Sequence, residues 1–559
     1  MKIDFYPQKA QYLTGEPIRL IAEITPPLPK NCTAVLYIFR LNKTILIQSF
    51  SVAENMIFQL AGYSETFAGF GAELSILCDG VEVHRAATAF DVVSNPREAI
   101  RYGFLSDFDT KDAGCDDVMT LRKYHINYVQ YYDWCYRHDE LVGPTERYFD
   151  MMGKPVNLNV VKEKIAACKR MGMKSLGYGA VYAASRDFFE KHPDWGFYTS
   201  AGKPLVFIDT FYLMNIQRNS PWREHIIHEY EKAVALVGFD GIHMDTYGFP
   251  KTAFSHLKQM KKQVKLEQEY PSLIKETHRA LNAIHPDSNL IFNNVGNWPV
   301  EGVAQAPQDA VYIEVWDPND RYCHIRQIIL NAKRACKNRK PVILAAYLAP
   351  FRTDSPQRAE NAALLLTAAI VSNGATHLLL GEKNAVLTQG YYVDHSFLSE
   401  QQADRMRQYY DFTVRYQELF YDKTMKDVST THIGWDNTEY KCIDRKWSPD
   451  GKPDTLWLTI RENDRKKMIS IINLFGCEND EWNQGKNSPI PQTNIHFQVQ
   501  LDRKIEGIYF ASPDSENGRS VPLDYHLEQT QRGMAASFIV PKVNCWGIVY
   551  ILMKTDFFD

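Results

Sequence analysis

The sequence predicts a multidomain α/β plus β fold, in which a central (β/α)8 TIM barrel is flanked by an N-terminal immunoglobulin-like β-sandwich and a C-terminal antiparallel β-sandwich. Three observations predict this fold. Short β-like runs fill residues 1–96, short apolar strands alternate with longer amphipathic segments over residues 97–423, and β-like runs return over residues 424–559. The length of 559 residues fits this division, because one hydrophobic core rarely organises so long a chain.

The two terminal segments consist of short β-like runs separated by turn residues. In the first segment we expect the strands Ile18–Ile24, Ala34–Phe39, Thr44–Ser51 and Ala86–Val93. In the last segment we expect the strands Thr455–Ile460, Met468–Leu474, Ile495–Val499 and Gly547–Met553.

The middle segment has the strand and helix alternation of a parallel barrel. We expect the strands Tyr102–Ser106, Ile126–Tyr131, Lys174–Tyr178, Gly241–Met244, Leu290–Asn293, Ala310–Glu314, Val342–Ala346 and His377–Leu380. Helical patterns between them include Val161–Arg170, Arg223–Val237, Leu273–Ala283 and Ile325–Lys337. One further apolar run, Pro204–Phe207, competes for a place among the eight strands.

The composition argues against nucleic-acid and membrane partners. The 63 Lys and Arg and the 67 Asp and Glu residues give a net charge of −4, so there is no basic surplus to neutralise a phosphate backbone. No stretch reaches the ~20 apolar residues of a membrane-spanning helix. The N-terminal residues lack the apolar run of a secretion signal, so we expect a cytoplasmic protein, or a secreted one whose signal has been removed.

The motifs of several other chemistries are missing from the sequence. It contains no GxSxG, GxxxxGK[ST], HExxH or GxGxxG segment, which disfavours serine hydrolases, P-loop NTPases, common zinc proteases and dinucleotide-binding enzymes. The ten cysteines are scattered, without a CxxC pair or zinc-type spacing. We therefore expect reduced, mostly buried thiols in preference to disulfides.

Two carboxylates follow apolar strands at the places where a barrel presents its reactive groups. Asp245 ends the expected fourth strand and Glu314 ends the sixth, so both point toward one mouth of the barrel. In retaining glycoside hydrolysis, one carboxylate attacks the anomeric carbon while the other protonates the leaving oxygen and later activates water. A strand-end aspartate can instead cap the following helix or fix a loop, so Asp245 alone decides little.

Other residues could serve the same mouth. Glu382 ends the eighth strand and is a candidate substrate ligand or alternative acid, whereas Asp107 and Asp109 follow the first strand. His243 faces the same side of its strand as Asp245, but a lone strand histidine more often supports the core. Asn293, at the end of the fifth strand, serves either the substrate or the loop backbone.

An aromatic and ionisable cluster follows the second strand, in the segment YYDWCYRHD. Aromatic faces of Tyr131 and Trp134 could stack on a pyranose, while Asp133 could accept hydrogen bonds from adjacent hydroxyls and His138 could assist. The alternative is a folded loop whose aromatic side chains only cover the barrel edge.

The segments GFDGIHMDTYG, YIEVW, YYDWCYRHD, AAYLAP and GATHLLLGE occur in an order that resembles glycoside hydrolase family 66, the dextranases and cycloisomaltooligosaccharide glucanotransferases. The resemblance implies that Asp245 is the nucleophile, that Glu314 is the general acid/base and that Asp133 contacts the sugar at the cleavage point. It also implies an α-1,6-linked glucan substrate, a covalent β-glucosyl-enzyme intermediate and no required cofactor. Among the site residues we expect no metal ligand. The substrate-binding residues we expect are Asp133, Tyr131, Trp134, His138, Asn293, Trp316, Tyr347 and Glu382.

Within this family the sequence favours the dextranase type. Cyclising glucanotransferases carry a carbohydrate-binding module late in the barrel, whereas a short segment separates Ala346 from His377 here. Two alternatives remain open, namely a transglycosylase that forms cyclic or longer isomaltooligosaccharides, and a non-catalytic glucan-binding protein. The paired carboxylates argue against the second alternative.

Overall fold

The computed structural model describes residues 2–25 and 31–557 of the chain. At the N-terminus, alternating buried and exposed residues build two facing sheets with a shared apolar core, as in Ile18–Ile24. One sheet contains Ile3–Pro7, Ile18–Ile24 and Asn55–Leu60. The other contains Tyr12–Leu13, Cys32–Arg40, Lys43–Ser51, Phe67–Cys78 and Val81–Val93. This segment is therefore a β-sandwich.

The N-terminal sandwich contains a disulfide between Cys32 and Cys78, which corrects the expectation of reduced thiols for these two residues. They lie directly opposite each other on paired antiparallel strands, with Cα atoms 4.2 Å apart. A pairing across 46 residues depends on strand register, which the cysteine spacing does not reveal. The other eight cysteines are free.

Within the described residues, eight parallel strands close into the predicted barrel. They are β1 Tyr102–Leu105, β2 Tyr128–Tyr131, β3 Lys174–Ala180, β4 Gly241–Asp245, β5 Asn289–Val295, β6 Val311–Glu314, β7 Val342–Ala345 and β8 Thr376–Leu378. The ring closes where the backbone N–H of Phe104 donates to the carbonyl of Leu380 at 3.3 Å. All eight strands expected from the sequence are confirmed.

Helices pack around the strands and cover their outward apolar residues. Their bounds are Asp116–Lys123, Leu158–Arg170, Arg186–Lys191, Pro221–Lys232, Leu266–Ile284, Val300–Val303, Tyr322–Ala335, Pro350–Thr353, Pro356–Ser372, Glu400–Arg415 and Gln417–Phe420. None of the helices in the described segments is both long and apolar enough to cross a bilayer.

Short antiparallel strands extend from the barrel on the loops at its C-terminal face. Two of the small sheets have two strands each: Arg147–Phe149 pairs with Pro155–Asn157, and Ala385–Val386 pairs with Ser396–Phe397. The other two have three strands each. One contains Ala183–Ala184, Phe211–Leu213 and Val206–Phe207, and the other contains Phe197–Tyr198, Thr252–Ser255 and Lys262–Lys265. The competing run Pro204–Phe207 belongs to one of these small sheets, so it displaces no barrel strand.

The barrel interior below the C-terminal face contains several buried tyrosines. Because alternate strand residues face opposite sides, Tyr102, Tyr128 and Tyr312 point inward while their neighbours face the helices. The Tyr102 hydroxyl lies 2.8 Å from Nδ1 of His243, and the Tyr128 hydroxyl donates to Oδ1 of Asn289 at 2.9 Å. These contacts satisfy polar groups in an otherwise apolar core.

The C-terminal segment folds into a second β-sandwich with its own apolar core. One sheet contains Lys426–Asp427, Trp447–Ser448, Leu456–Glu462, Lys466–Asn473, Arg503–Ala511, Val521–Pro522 and Trp546–Phe557. The facing sheet contains Tyr440–Cys442, Gln492–Gln500, Tyr525–Thr530 and Gly533–Val543. The predicted fold class, two β-sandwiches around a (β/α)8 barrel, is confirmed.

Candidate active site

The two strand-end carboxylates share one cleft at the C-terminal face of the barrel. Asp245 ends β4 and Glu314 ends β6. From β5, the strand between them, Asn293 donates its Nδ2 to Oδ1 of Asp245 at 2.7 Å and to Oε2 of Glu314 at 3.3 Å. Because one nitrogen contacts both oxygens, they are at most about 6 Å apart. Retaining glycosidases place their carboxyl groups ~5–5.5 Å apart and inverting enzymes ~6.5–9.5 Å apart, so this geometry favours retention.

The surroundings of the pair disfavour two charges at once. Burial, and next the charge of Glu314, raises the pKa of Asp245, and burial also raises the pKa of Glu314. Asp245 accepts hydrogen bonds from the Tyr178 hydroxyl at 2.6 Å and from Asn293, which favours its ionised form. Glu314 accepts a hydrogen bond from the Tyr347 hydroxyl. The arrangement suits a pair that carries a single proton.

The cleft around the pair has a volume of about 750 Å³ and a strongly aromatic wall. Its aromatic residues are Tyr132, Tyr178, Phe207, Phe211, Tyr247, Trp316 and Tyr391. Phe207 stacks on Tyr247 with ring centroids 4.4 Å apart, which fixes two of these faces. A wall of this kind, with a few convergent polar groups, is suited to a sugar chain.

The aromatic loop after β2 sends only part of its predicted cluster into the cleft. Asp133 and His138 line it. Burial raises the pKa of Asp133 to about 7 and lowers that of His138 to about 4, so the imidazole is neutral at pH 7. Asp133 has a left-handed backbone, with φ of 49°, where the chain turns its carboxyl toward the cleft.

Tyr131 and Trp134, expected to stack on sugar, are fully buried and do not line the cleft. Tyr131 stacks on Phe108 at 5.5 Å, on the outer side of β2. The Trp134 indole donates to the carbonyl of Tyr178 at 3.1 Å and packs against Phe239. Successive residues of a strand face opposite sides, so Tyr131 points away from the cleft and the next residue, Tyr132, points into it. The expectation that Tyr131 stacks on sugar is therefore wrong.

Of the three predicted substrate-binding residues around Glu314, one lines the cleft, one lies behind the carboxylate and one bridges the carboxylate pair. Trp316 is 41% exposed and lines the cleft, as a stacking surface would. Tyr347 is buried behind Glu314 and does not line the cleft. Asn293 contacts both carboxylates, whereas the adjacent Asn294 donates to the carbonyl of Tyr312 and so serves the backbone.

Glu382 is fully buried and does not line the cleft, which corrects its assignment as a substrate ligand. It accepts hydrogen bonds from the backbone N–H of Ser106 at 2.8 Å and from its hydroxyl at 2.7 Å, so it ties β8 to β1. Burial, followed by the charge of Asp107, raises its pKa to about 8. In the described segments, Asp107, Glu382 and His395 place metal-ligating atoms within 4.8 Å of one another, so these residues could hold a cation.

Two further candidates have structural positions. Asp109 accepts a hydrogen bond from the backbone N–H of Thr110 at 2.7 Å and caps the short helix Thr110–Asp112. His243 is buried in the barrel interior, and burial lowers its pKa to about 3. Asp109 therefore caps a helix and His243 supports the core, which are the structural roles that compete with a catalytic role for such residues.

Sequence reasoning missed several residues that shape the cleft. Tyr178 ends the expected third strand, and the alternation of side chains along that strand was the signal that its hydroxyl faces the cleft. Phe207 and Phe211 reach the cleft from the small antiparallel sheet between β3 and β4. Their contribution depends on how a long loop folds back, which local patterns do not predict.

Comparison with known proteins decides the family. The sequence profile described as Glycosyl hydrolase family 66 matches residues 7–550. The chain belongs to glycosyl hydrolase family 66. A cycloisomaltooligosaccharide glucanotransferase from Niallia circulans is 22% identical to this family 66 chain, over 99% of the chain and 72% of the relative. A dextranase from Streptococcus salivarius is also 22% identical, over 91% of the chain and 70% of the relative.

A solved structure agrees with the fold of this family 66 chain. The crystal structure of a Paenibacillus cycloisomaltooligosaccharide glucanotransferase, complexed with cycloisomaltoheptaose, superimposes with a TM-score of 0.88 at 20% identity. The match covers 98% of this chain and 99% of the other. The family resemblance in the sequence is therefore confirmed, and the chain is a member of a glycosidase family. Relatives of both enzyme types occur, so the expected dextranase type is not established.

Proposed function

We propose that the chain is a retaining glycosidase of α-1,6-linked glucans such as dextran and isomaltooligosaccharides. Asp245 is the nucleophile and Glu314 is the general acid/base. The observation that carries the proposal is the Asn293 bridge, which brings the two carboxylates within about 6 Å in one aromatic cleft. The named activities of the relatives, a dextranase and a cycloisomaltooligosaccharide glucanotransferase, support the substrate class.

In the first step, a carboxylate oxygen of Asp245 attacks the anomeric carbon of the bound glucosyl unit. Glu314 gives its proton to the glycosidic oxygen, which leaves as the hydroxyl of the departing sugar. The Tyr178 and Asn293 hydrogen bonds favour the ionised nucleophile before attack. The product of this step is an ester between Asp245 and the sugar, of inverted β configuration.

In the second step, Glu314 takes a proton from water while the water oxygen attacks the anomeric carbon and releases Asp245. Forming the ester removes the charge of Asp245, which lowers the pKa of Glu314 and suits it to act as a base. The second inversion restores the α configuration. Asp133, at the cleft wall, is placed to accept hydrogen bonds from sugar hydroxyls.

We propose hydrolysis as the outcome of the second step, in line with the short connection between β7 and β8. The helices Pro350–Thr353 and Pro356–Ser372 fill this connection. Transfer to a sugar hydroxyl remains a second candidate, supported by the name of the Niallia circulans relative.

The test measures the activity and the two roles together. Wild-type protein should release isomaltooligosaccharides or glucose from dextran and should not release sugar from starch. Product analysis at high substrate concentration separates hydrolysis from transfer.

Azide rescue of two variants tests the two roles. Glu314→Ala with azide and an activated α-glucosyl substrate should give α-glucosyl azide, whereas Asp245→Ala should give the β-azide. Undiminished turnover by Asp245→Asn would contradict the proposal, and a wild type that binds dextran without cleaving it would support a non-catalytic glucan-binding protein.

A further inference from the structure

A row of three buried phenols leads away from Glu314 into the barrel. The Tyr347 hydroxyl donates to Oε1 of Glu314. It lies 3.1 Å from the hydroxyl of Tyr392, which lies 2.8 Å from the hydroxyl of Tyr312. All three tyrosines are at most 3% exposed, and none of them lines the cleft. The substrate therefore meets Glu314 but not the phenols behind it.

The direction of the hydrogen bonds follows from counting hydrogens. Each phenol has one hydrogen to donate. If Tyr347 donates to Glu314, its oxygen is free to accept from Tyr392, and the Tyr392 oxygen is free to accept from Tyr312. The row then needs no acceptor at its far end. With the opposite direction, the Tyr312 hydroxyl would need an acceptor, and the described residues offer it no hydrogen-bond partner except Tyr392.

We propose that Tyr347, Tyr392 and Tyr312 form a hydroxyl relay that keeps Oε1 of Glu314 an acceptor and so reserves Oε2 for the proton exchanged with the substrate. This inference rests on the proposed function and adds positioning residues to it. Oε2 accepts a long hydrogen bond from Nδ2 of Asn293, at 3.3 Å, and the same nitrogen donates to Asp245 at 2.7 Å. The relay thus directs the exchanged proton toward the side of Glu314 on which the nucleophile lies.

The relay also has an electrostatic consequence. A hydrogen bond to an ionised group is stronger than one to its neutral form, so Tyr347 favours the carboxylate and opposes the effect of burial. Aligned hydroxyls polarise one another, so Tyr392 should strengthen the Tyr347 bond by a smaller amount. The second step, in which Glu314 is a base, needs this support most.

Other groups around the row must be considered before a pH profile is assigned to Glu314. Asp245 faces it across the cleft, and Asp133 lines the same cleft. Tyr132 stacks on Tyr392 at 4.4 Å. In the barrel interior, His243 packs edge-on against Tyr312, but burial lowers its pKa to about 3, so it stays neutral over the working range. A titration of Glu314 itself therefore separates its pKa from those of the surrounding groups.

The test uses three variants of the full chain and a matched control. Tyr347→Phe should move the basic limb of the kcat/KM profile for isomaltotriose upward by about one pH unit, because Glu314 loses a charge-assisted hydrogen bond. Tyr392→Phe should move it in the same direction by a few tenths of a unit, and Tyr312→Phe by less. Tyr128→Phe removes a phenol from the same interior, but its hydroxyl is bonded to Asn289 and not to the row, so its profile should match the wild type.

A second readout separates this relay from the proposed function. A ¹³C titration of carboxyl-labelled glutamate, with Glu314→Gln to identify the signal, reports the ionisation of Glu314 without turnover. The pKa of Glu314 should rise most in Tyr347→Phe, less in Tyr392→Phe and least in Tyr312→Phe. Thermal unfolding of each variant checks that it is folded. Coincident titrations in all variants, or an equal shift in Tyr128→Phe, would overturn the relay. A wild type inactive on every α-glucan would overturn the function and leave this titration to decide the relay.

Discussion

Tyr178 offers a direct test of how the cleft keeps Asp245 ionised. Its hydroxyl donates to Oδ2 of Asp245 at 2.6 Å, and Tyr178→Phe removes this bond with little change in volume. A hydrogen bond to a charged group contributes about 1.5–3 kcal/mol, which corresponds to about one to two pKa units. Because the bond stabilises the carboxylate, its loss should raise the pKa of Asp245 above its already raised value.

The expected result is a shift of the pH profile and not a uniform loss of rate. Asp245 attacks as a carboxylate, so the acidic limb of kcat/KM should move upward by about one to two pH units. Below that limb the variant should be about 10- to 100-fold slower, and above it nearly as fast as the wild type. The assay is isomaltotriose cleavage followed across the pH range.

The control for this experiment is Tyr131→Phe. Tyr131 is a buried phenol on the outer side of the neighbouring strand β2, and its hydroxyl lies 3.4 Å from Sγ of Cys168, away from the cleft. Its acidic limb should coincide with that of the wild type. A uniform rate loss in Tyr178→Phe at every pH, without movement of the limb, would contradict the role of Tyr178 in keeping Asp245 ionised.

Three further predictions concern the walls of the cleft and the loop after β2. Trp316→Ala should weaken glucan binding about tenfold, because a half-exposed stacking face is lost, as calorimetry with isomaltooligosaccharides in an Asp245→Asn background would measure. Trp134→Ala should instead destabilise the fold by about 3–5 kcal/mol in urea unfolding, since this indole is fully buried, and a loss under 1 kcal/mol would contradict its core position. In the Asp245→Asn background, glucan affinity should rise as the pH increases through 7, because burial raises the pKa of Asp133 to about 7 and its carboxylate form is the stronger acceptor. Asp133→Asn should remove this rise. An unchanged pH dependence would exclude Asp133 as the group that titrates.

The barrel and its paired carboxylates could be predicted because the signals are local. Each strand is a short apolar run, and Asp245 and Glu314 follow two of these runs directly, so strand ends and polarity sufficed to find them. Asn293 was also found at a strand end, but its contact with both carboxylates depends on the register between β4, β5 and β6.

The predictions that failed depended on the direction in which a side chain points or on contacts between distant parts of the chain. Tyr131 and Tyr132 have similar chemistry, and only strand parity decides which one faces the cleft. Tyr347 was expected to bind substrate, yet it lies behind Glu314, because depth below the barrel rim is not encoded in a short motif. The Cys32–Cys78 disulfide depended on sheet register in the same way. The expected cytoplasmic location stays a prediction.

A covalent bond between Asp245 and the sugar can be detected by mass spectrometry of the protein after reaction with 5-fluoro-α-glucosyl fluoride, whose ring fluorine slows hydrolysis of the glucosyl-enzyme ester. One fluoroglucosyl group should be attached to the peptide that contains Asp245, and it should accumulate to a greater extent in Glu314→Gln than in the wild type, because the variant lacks the base of the second step. A label on any other residue, or products of inverted configuration formed without any covalent label, would contradict the role of Asp245 as the nucleophile.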